Sequence, residues 1–264
     1  MASRNSQTDI VKGWTADIAA SVGFLTRLPM PADLPFVPLS EAMRAFPLAG
    51  ALIGALGGAV LASLAGLGLP ALAAAGLALA ALACLTGALH EDGLADTADG
   101  FGGGKDRASK LAIMRDSHIG SYGVLALILG LLVKAACLAA LAQDSWLHLV
   151  ALLAATGALS RALMVWLMAS TPPARSDGVA HAAGQPSDLT ARSALLIGGL
   201  LALVLLLFSY GLIAALVVGG VGVAAAGAMR LLAMREVGGH TGDICGALQF
   251  VSETAMIAAA ATLS

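Results

Sequence analysis

Seven stretches of the chain run for about twenty residues with few polar side chains, at 47–68, 70–89, 119–141, 147–169, 193–209, 211–230 and 246–263. At 1.5 Å per helical residue, each is long enough to cross a hydrocarbon core of about 30 Å. The sixth is parted from the fifth at Ser209–Gly211, where Tyr210 and Gly211 mark a turn at an interface. Ahead of them, residues 8–28 mix polar and apolar positions, with Trp14 and Phe24 on one side. That pattern predicts an amphipathic helix lying on the membrane surface. The expected fold is therefore all-α: a polytopic helical bundle in the bilayer with about seven transmembrane helices. It forms one integral membrane domain over 1–264, in which 90–118 is a cytoplasmic catalytic loop. A transmembrane β-barrel is excluded, because it would alternate apolar and polar positions over segments of about ten residues.

Composition agrees with the pattern. The chain is 59 % hydrophobic, 11 % charged and only 4 % aromatic, with a mean hydropathy of +0.90. Ala, Leu and Gly dominate, and small residues let membrane helices approach where lipid supplies no hydrophobic drive. Cys84, Cys137 and Cys245 are widely spaced and read as small buried residues rather than as a disulfide or a thiolate metal site. Asp9, Asp17 and Arg27 interrupt any apolar run near the N-terminus, so no cleaved signal peptide is expected.

Charge orients the bundle. Arg4, Lys12, Arg27 and Arg44 precede the first span; Lys105, Arg107, Lys110 and Arg115 follow the second. Arg175 and Arg192 follow the fourth, and Arg230 and Arg235 the sixth. All twelve then fall on one side, which the positive-inside bias makes cytoplasmic. Asp144 is the carboxylate placed outside. Lys134 and Arg161 are left within spans; Lys134 is expected to snorkel outward without a role, whereas Arg161, deep in its span, calls for a partner or a function.

The candidate chemistry lies on that basic side. In "LHEDGLADTADGFGGG" (89–104), Asp92, Asp96 and Asp99 fall at i, i+4 and i+7. On a helix they occupy an arc of about 60°, a face that like charges destabilise unless a cation is bound. All-oxygen ligands of this kind suit Mg²⁺, with Mn²⁺ as a substitute, rather than Zn²⁺. Glu91 either joins them as a ligand or stands apart, and His90 either joins or simply caps the second span. "GFGGGKDR" (100–107) reads either as a flexible linker or as a phosphate cradle, with Gly102 and Gly103 offering N–H groups and Lys105 and Arg107 offering charge. Arg115, Asp116, Ser117 and His118 open the third span, where a helix N-terminus favours an anion, though Asp116 or Ser117 could equally be a plain cap. "PPARSDG" (172–178) carries Arg175 and Asp177 on a rigid turn, and "GGHTGDICGALQFVSE" (238–253) places Asp243 before the last span and Glu253 within it. Clustered carboxylates, arginines and glycines at one membrane face suit Mg²⁺-assisted phosphoryl transfer on a diphosphate.

The segments "FLTRLPMP", "FPLAGALIGALGG", "HEDGLADTADGFGGG", "IMRDSHIGSYG", the "SR" of the fourth span, "PPARSDG" and "GGHTGDICGALQFVSE" follow one another in the order of one family. From about Phe24 to Glu253 the chain resembles the adenosylcobinamide-GDP ribazoletransferases, or cobalamin (5′-phosphate) synthases. It departs at His118, where an Arg is common, which weakens a phosphate contact there, and at Ala112, where an acidic residue is usual. The resemblance implies a Mg²⁺-dependent enzyme of the bacterial cytoplasmic membrane, with its active site facing the cytoplasm. It implies transfer from adenosylcobinamide-GDP to α-ribazole or its 5′-phosphate with release of GMP. Asp92, Asp96, Asp99 and Glu91 would then hold metal, and Arg115 and Arg161 would neutralise charge. Asp99 or Asp116 would accept the hydroxyl proton. Gly102, Gly103, Lys105, Arg107, Ser117, Arg175, Asp243 and Glu253 would contact substrate. The expected partners are these substrates and the lipid bilayer, not nucleic acid, and a homo-oligomer is left open. A CDP-alcohol phosphotransferase is the nearest rival, but its D-x2-D-G-x2-A-R motif is absent. A divalent-cation transporter should instead place its site near the bilayer midplane.

Overall fold

The computed structural model describes residues 2–31 and 36–263, with side chains from Gly13 onward. Arg4, Lys12 and Asp9, which entered the charge argument, therefore lie outside the described side chains. Among the described residues the fold is all-α. The helices are α1 (Ala2–Leu25), α2 (Leu39–Ala42), α3 (Phe46–Gly66), α4 (Ala71–Thr86), α5 (Leu89–Gly103), α6 (Arg107–Ile113), α7 (Ser121–Leu141), α8 (Trp146–Ser170), α9 (Gly178–Ala183), α10 (Asp188–Val237) and α11 (Gly242–Ala261). A 3-10 turn, Met43–Ala45, joins α2 to α3.

Helix α8 is the centre of the bundle. Its most apolar stretch is 89 % buried, against 17 % for α7 at the periphery. Small residues make this possible. A Cβ on Gly54 of α3 would lie 1.9 Å from the Leu153 carbonyl oxygen, and one on Gly50 would lie 2.2 Å from that of Gly157. Backbones this close exclude any side chain larger than hydrogen, the small-residue packing that substitutes for hydrophobic drive in lipid.

Helix α10 spans fifty residues, about 75 Å if straight and far more than a bilayer needs. It is broken at Gly211, whose φ of 80° and ψ of 175° are not helical. Its contacts prove a reversal. Gln185, just before α10, donates to the Met168 and Thr171 carbonyls at 3.2 and 3.3 Å. Tyr210 donates to Asp144 at 3.0 Å, at the other end of α8. Arg230 then returns to Ser170, with contacts of 3.1 Å. Residues 185 and 230 thus share one end of the bundle and 210 the opposite end. Among the described residues five helices, one of them α10, are long and apolar enough to cross a membrane, and α4 with α5 forms a bent pair that qualifies together. With α10 counted as two arms and the bent pair as one span, the candidate crossings number seven, and the break anticipated at Ser209–Gly211 falls at Gly211.

The expected loop 90–118 is different. Two successive left-handed residues, Gly87 (φ 67°) and Ala88 (φ 56°), turn the chain, and the next segment leaves α4 as helix α5 at 92°. The second span stops at Thr86 rather than 89, and most of the supposed loop is the helices α5 and α6. A capping box begins α6: Asp106 accepts from the Ser109 N–H at 2.8 Å, and Ser109 Oγ accepts from the Asp106 N–H at 3.0 Å. Helix α1 is anchored at this same end. Buried Asp17 pairs with Arg44 at 2.5 Å, the guanidinium lies 4.4 Å over Trp14, and Phe24 stacks on Phe46 at 5.7 Å.

Candidate active site

Helix α5 crosses α11 where each presents a glycine. A Cβ on Gly93 would lie 2.6 Å from the Asp243 carbonyl oxygen, and one on Gly246 would lie 3.3 Å from the His90 Cα. This close crossing carries Asp92 and Asp96 toward Asp243 at the start of α11. The Asp96 carboxyl feels the like charges of Asp92, Asp243 and Asp99, with Arg175 as the opposing charge.

The cations come from two separate connections, before α7 and after α8. Arg175 reaches Asp243 at 3.3 Å and Asp177 at 3.7 Å, and Arg115 reaches Asp177 at 2.8 Å. Arg175 keeps one buried nitrogen, Nη1, without a hydrogen-bond partner among the described residues. The loops 171–177 and 238–243 are sewn together to hold this arrangement. The His240 N–H donates to the Pro172 carbonyl at 2.9 Å, and the Ala174 N–H to the His240 carbonyl at 2.8 Å. Burial holds the His240 imidazole below its ordinary value, although Thr171 hydrogen-bonds it at 3.0 Å. Asp92 and Asp96 open onto a cleft of about 430 Å³ whose lining also includes Glu91, Arg115, Asp116 and Ser117. Asp92 and Asp243 also border a narrower pocket of about 120 Å³.

Several expected site residues have other posts. Asp99 is buried, and both its oxygens accept backbone N–H groups, from Gly120 at 2.7 Å and Gly123 at 2.9 Å. The anion that the N-terminus of α7 attracts is this side chain, not a ligand. Arg115, Asp116, Ser117 and His118 accordingly lie in the turn before α7 rather than in its first turn. Asp116 accepts from the His118 ring at 2.6 Å and backbone at 3.0 Å, which holds its carboxyl below the usual range and weakens it as a proton acceptor. Gly102 and Gly103 belong to α5, so the phosphate cradle is not formed. A Cβ on Gly102 would strike the Tyr122 ring at 2.6 Å, so this glycine serves packing. Arg107 spends one nitrogen on the Ala174 carbonyl at 3.0 Å, and Lys105 stays exposed.

Arg161 and Glu253 meet each other instead of the cleft, at 2.7 Å. The second partner of Glu253 is Lys134, 4 % exposed. The expectation that Lys134 snorkels away without a role is corrected: a carboxylate facing it inside the bundle costs less than its extraction. The rule that singled out Arg161, that an intramembrane charge needs a partner, would have found Lys134 too. Gln249 and Ser160 complete the network through a 3.2 Å hydrogen bond.

Among the described residues no group of three or more His, Cys, Asp or Glu side chains is gathered closely enough to hold a metal ion. The donor chemistry nevertheless fits a hard divalent cation. Asp92, Asp96 and Asp243 offer oxygen ligands alone, and they repel one another with Arg175 as their near counter-charge.

Comparison with protein-family models matches residues 17–261 to the family described as Cobalamin-5-phosphate synthase. The chain belongs to that family. It is 50 % identical over 266 residues to an adenosylcobinamide-GDP ribazoletransferase of Sinorhizobium medicae, covering 96 % of this chain and 98 % of that one. A protein of the same name from Rhizobium etli is 46 % identical over 260 residues, with the same coverage. Another from Azorhizobium caulinodans is 48 % identical over 248 residues, covering 92 % and 94 %. No solved structure matches the chain. Like the relatives so named, the protein is a transferase.

Proposed function

We propose that this family member transfers the cobinamide-bearing phosphate of adenosylcobinamide-GDP to α-ribazole or its 5′-phosphate, releasing GMP. The family match supports the reaction class. The observation that carries the site is the crossing of α5 and α11, which sets Asp92 and Asp96 against Asp243 with Arg175 and Arg115 alongside. Asp92, Asp96 and Asp243 would hold Mg²⁺, which when bound supplies charge neutralisation for the diphosphate and the departing GMP. Arg115 lines the cleft, where it can hold phosphate oxygens, and Arg175 supplies counter-charge to Asp243 behind it. Asp99 acts by positioning: it ties α5 to the start of α7 and so fixes the helix that bears Asp92 and Asp96. The basic end of the bundle faces the cytoplasm of a bacterial inner membrane, by the bias of Lys and Arg.

The test uses purified protein with adenosylcobinamide-GDP, α-ribazole and Mg²⁺, followed for GMP. Asp92→Asn and Asp96→Asn keep side-chain volume and remove charge. Each should lower transfer at least about tenfold, about 1.4 kcal/mol at the transition state, at normal protein level. Near-normal transfer by both variants, or full activity after exhaustive EDTA treatment in metal-free buffer, would overturn the metal-site assignment.

A further inference from the structure

The narrower pocket differs in character from the acidic cleft beside it. Its walls are apolar, built by Phe24, Met43, Phe46, Met164, Met168 and Ala180 from α1, the 3-10 turn, α3, α8 and α9. Apart from Cys245, the polar side chains that reach it are His90, Asp92 and Asp243, all from the crossing of α5 and α11. His90, 3 % exposed, also borders a second small pocket lined by Lys134, Arg161 and Glu253. The pocket is thus apolar along most of its lining and opens beside the carboxylates of the proposed reaction site.

We propose that this pocket binds the heteroaromatic base of the ribazole acceptor, with the ribose directed toward Asp92 and Asp243. The assignment rests on the reaction proposed above and names the subsite for one of its two substrates. Size and polarity decide between them. At about 120 Å³ the pocket cannot admit a corrinoid ring. Guanine would bring several hydrogen-bonding edge groups to walls of Phe, Met and Ala. Each one buried unpaired would forfeit the hydrogen bonds it makes in water. A benzimidazole riboside has apolar edges and a single ring nitrogen able to accept a hydrogen bond, so it brings far less polar surface to these walls. Methionine and aromatic walls suit such a flat ring, since thioethers contact ring edges favourably. Its hydroxyls would then emerge next to the carboxylates, on the side of the wide cleft that Asp92 also lines.

Ala180→Leu fills the pocket from the half-exposed helix α9. The experiment titrates full-length protein in detergent with α-ribazole and, separately, with adenosylcobinamide-GDP. Wild-type protein should bind α-ribazole. The variant should bind it at least tenfold more weakly, with affinity for adenosylcobinamide-GDP within twofold of wild type. The riboside of unmethylated benzimidazole, being smaller, should lose less. Ala183→Leu, which fills the same pocket, provides a second test should Ala180→Leu fail to fold. Unchanged α-ribazole affinity in the filled variants, with GMP still released by wild type, would overturn the pocket and leave the reaction standing. Absence of both α-ribazole binding and GMP release in wild type would overturn the reaction and the pocket with it.

Discussion

Replacing Glu253 by Gln removes the carboxylate that faces both Arg161 and Lys134 inside the bundle. At the 2.7 Å separation of Arg161 and Glu253, an effective dielectric of about 20 makes their attraction about 6 kcal/mol. Desolvation costs several kcal/mol for each ion, so the intact network contributes little net stability. Removing the carboxylate alone is another matter, because two cations then remain buried beside each other without a counter-charge. Breaking a buried pair in this way costs about 3–5 kcal/mol, which corresponds to a fall in Tm on the order of 10 °C for a chain of this size. Lys134→Met should be milder, since it leaves Arg161 and Glu253 as a balanced pair. Thermal unfolding of purified protein in detergent, read as loss of the monodisperse fraction, gives both values. A Glu253→Gln Tm within about 2 °C of wild type, or a larger fall for Lys134→Met, would refute the charge-balance reasoning.

Gly93→Ala should separate α5 from α11, because the new Cβ would meet the Asp243 backbone at 2.6 Å. About 1–3 kcal/mol of stability should be lost and transfer should fall at least about tenfold as Asp92 and Asp96 move from Asp243. Gly76→Ala in α4, where a Cβ meets nothing within 4 Å, should leave Tm and activity at wild-type values or slightly above. His240 predicts a pH dependence: burial lowers its pKa from the ordinary 6.5, so the unfolded chain takes up the proton first. Its contribution to stability is complete above the ordinary value and is lost as pH falls through the lower folded value. Tm should decline between about pH 7 and pH 5, and His240→Asn should flatten that decline; an equal slope in the variant would refute it.

The sequence by itself determined the membrane class, the all-α bundle, the break at Gly211 and the acidic motif, because hydrophobic length and residue type are written locally. It also marked Arg161 as needing a partner, since an intramembrane charge is costly wherever the chain puts it. Tertiary structure decided the rest. Whether "ADGFGGG" is loop or helix depended on Tyr122, Ile113 and Lys110 packing against glycines of α5, which no local pattern encodes. The turn at Ala88 was hidden because a non-glycine residue in the left-handed region gives no compositional signal. Asp92, Asp96 and Asp99 share a helical face in the sequence, yet α5 is tilted so that Asp99 caps α7 while Asp96 feels Asp243, about 150 residues away. A helix face is a one-dimensional property of spacing. Which neighbour that face meets is set by the crossing of distant backbones, here at Gly93 and Gly246, and only the folded bundle fixes that.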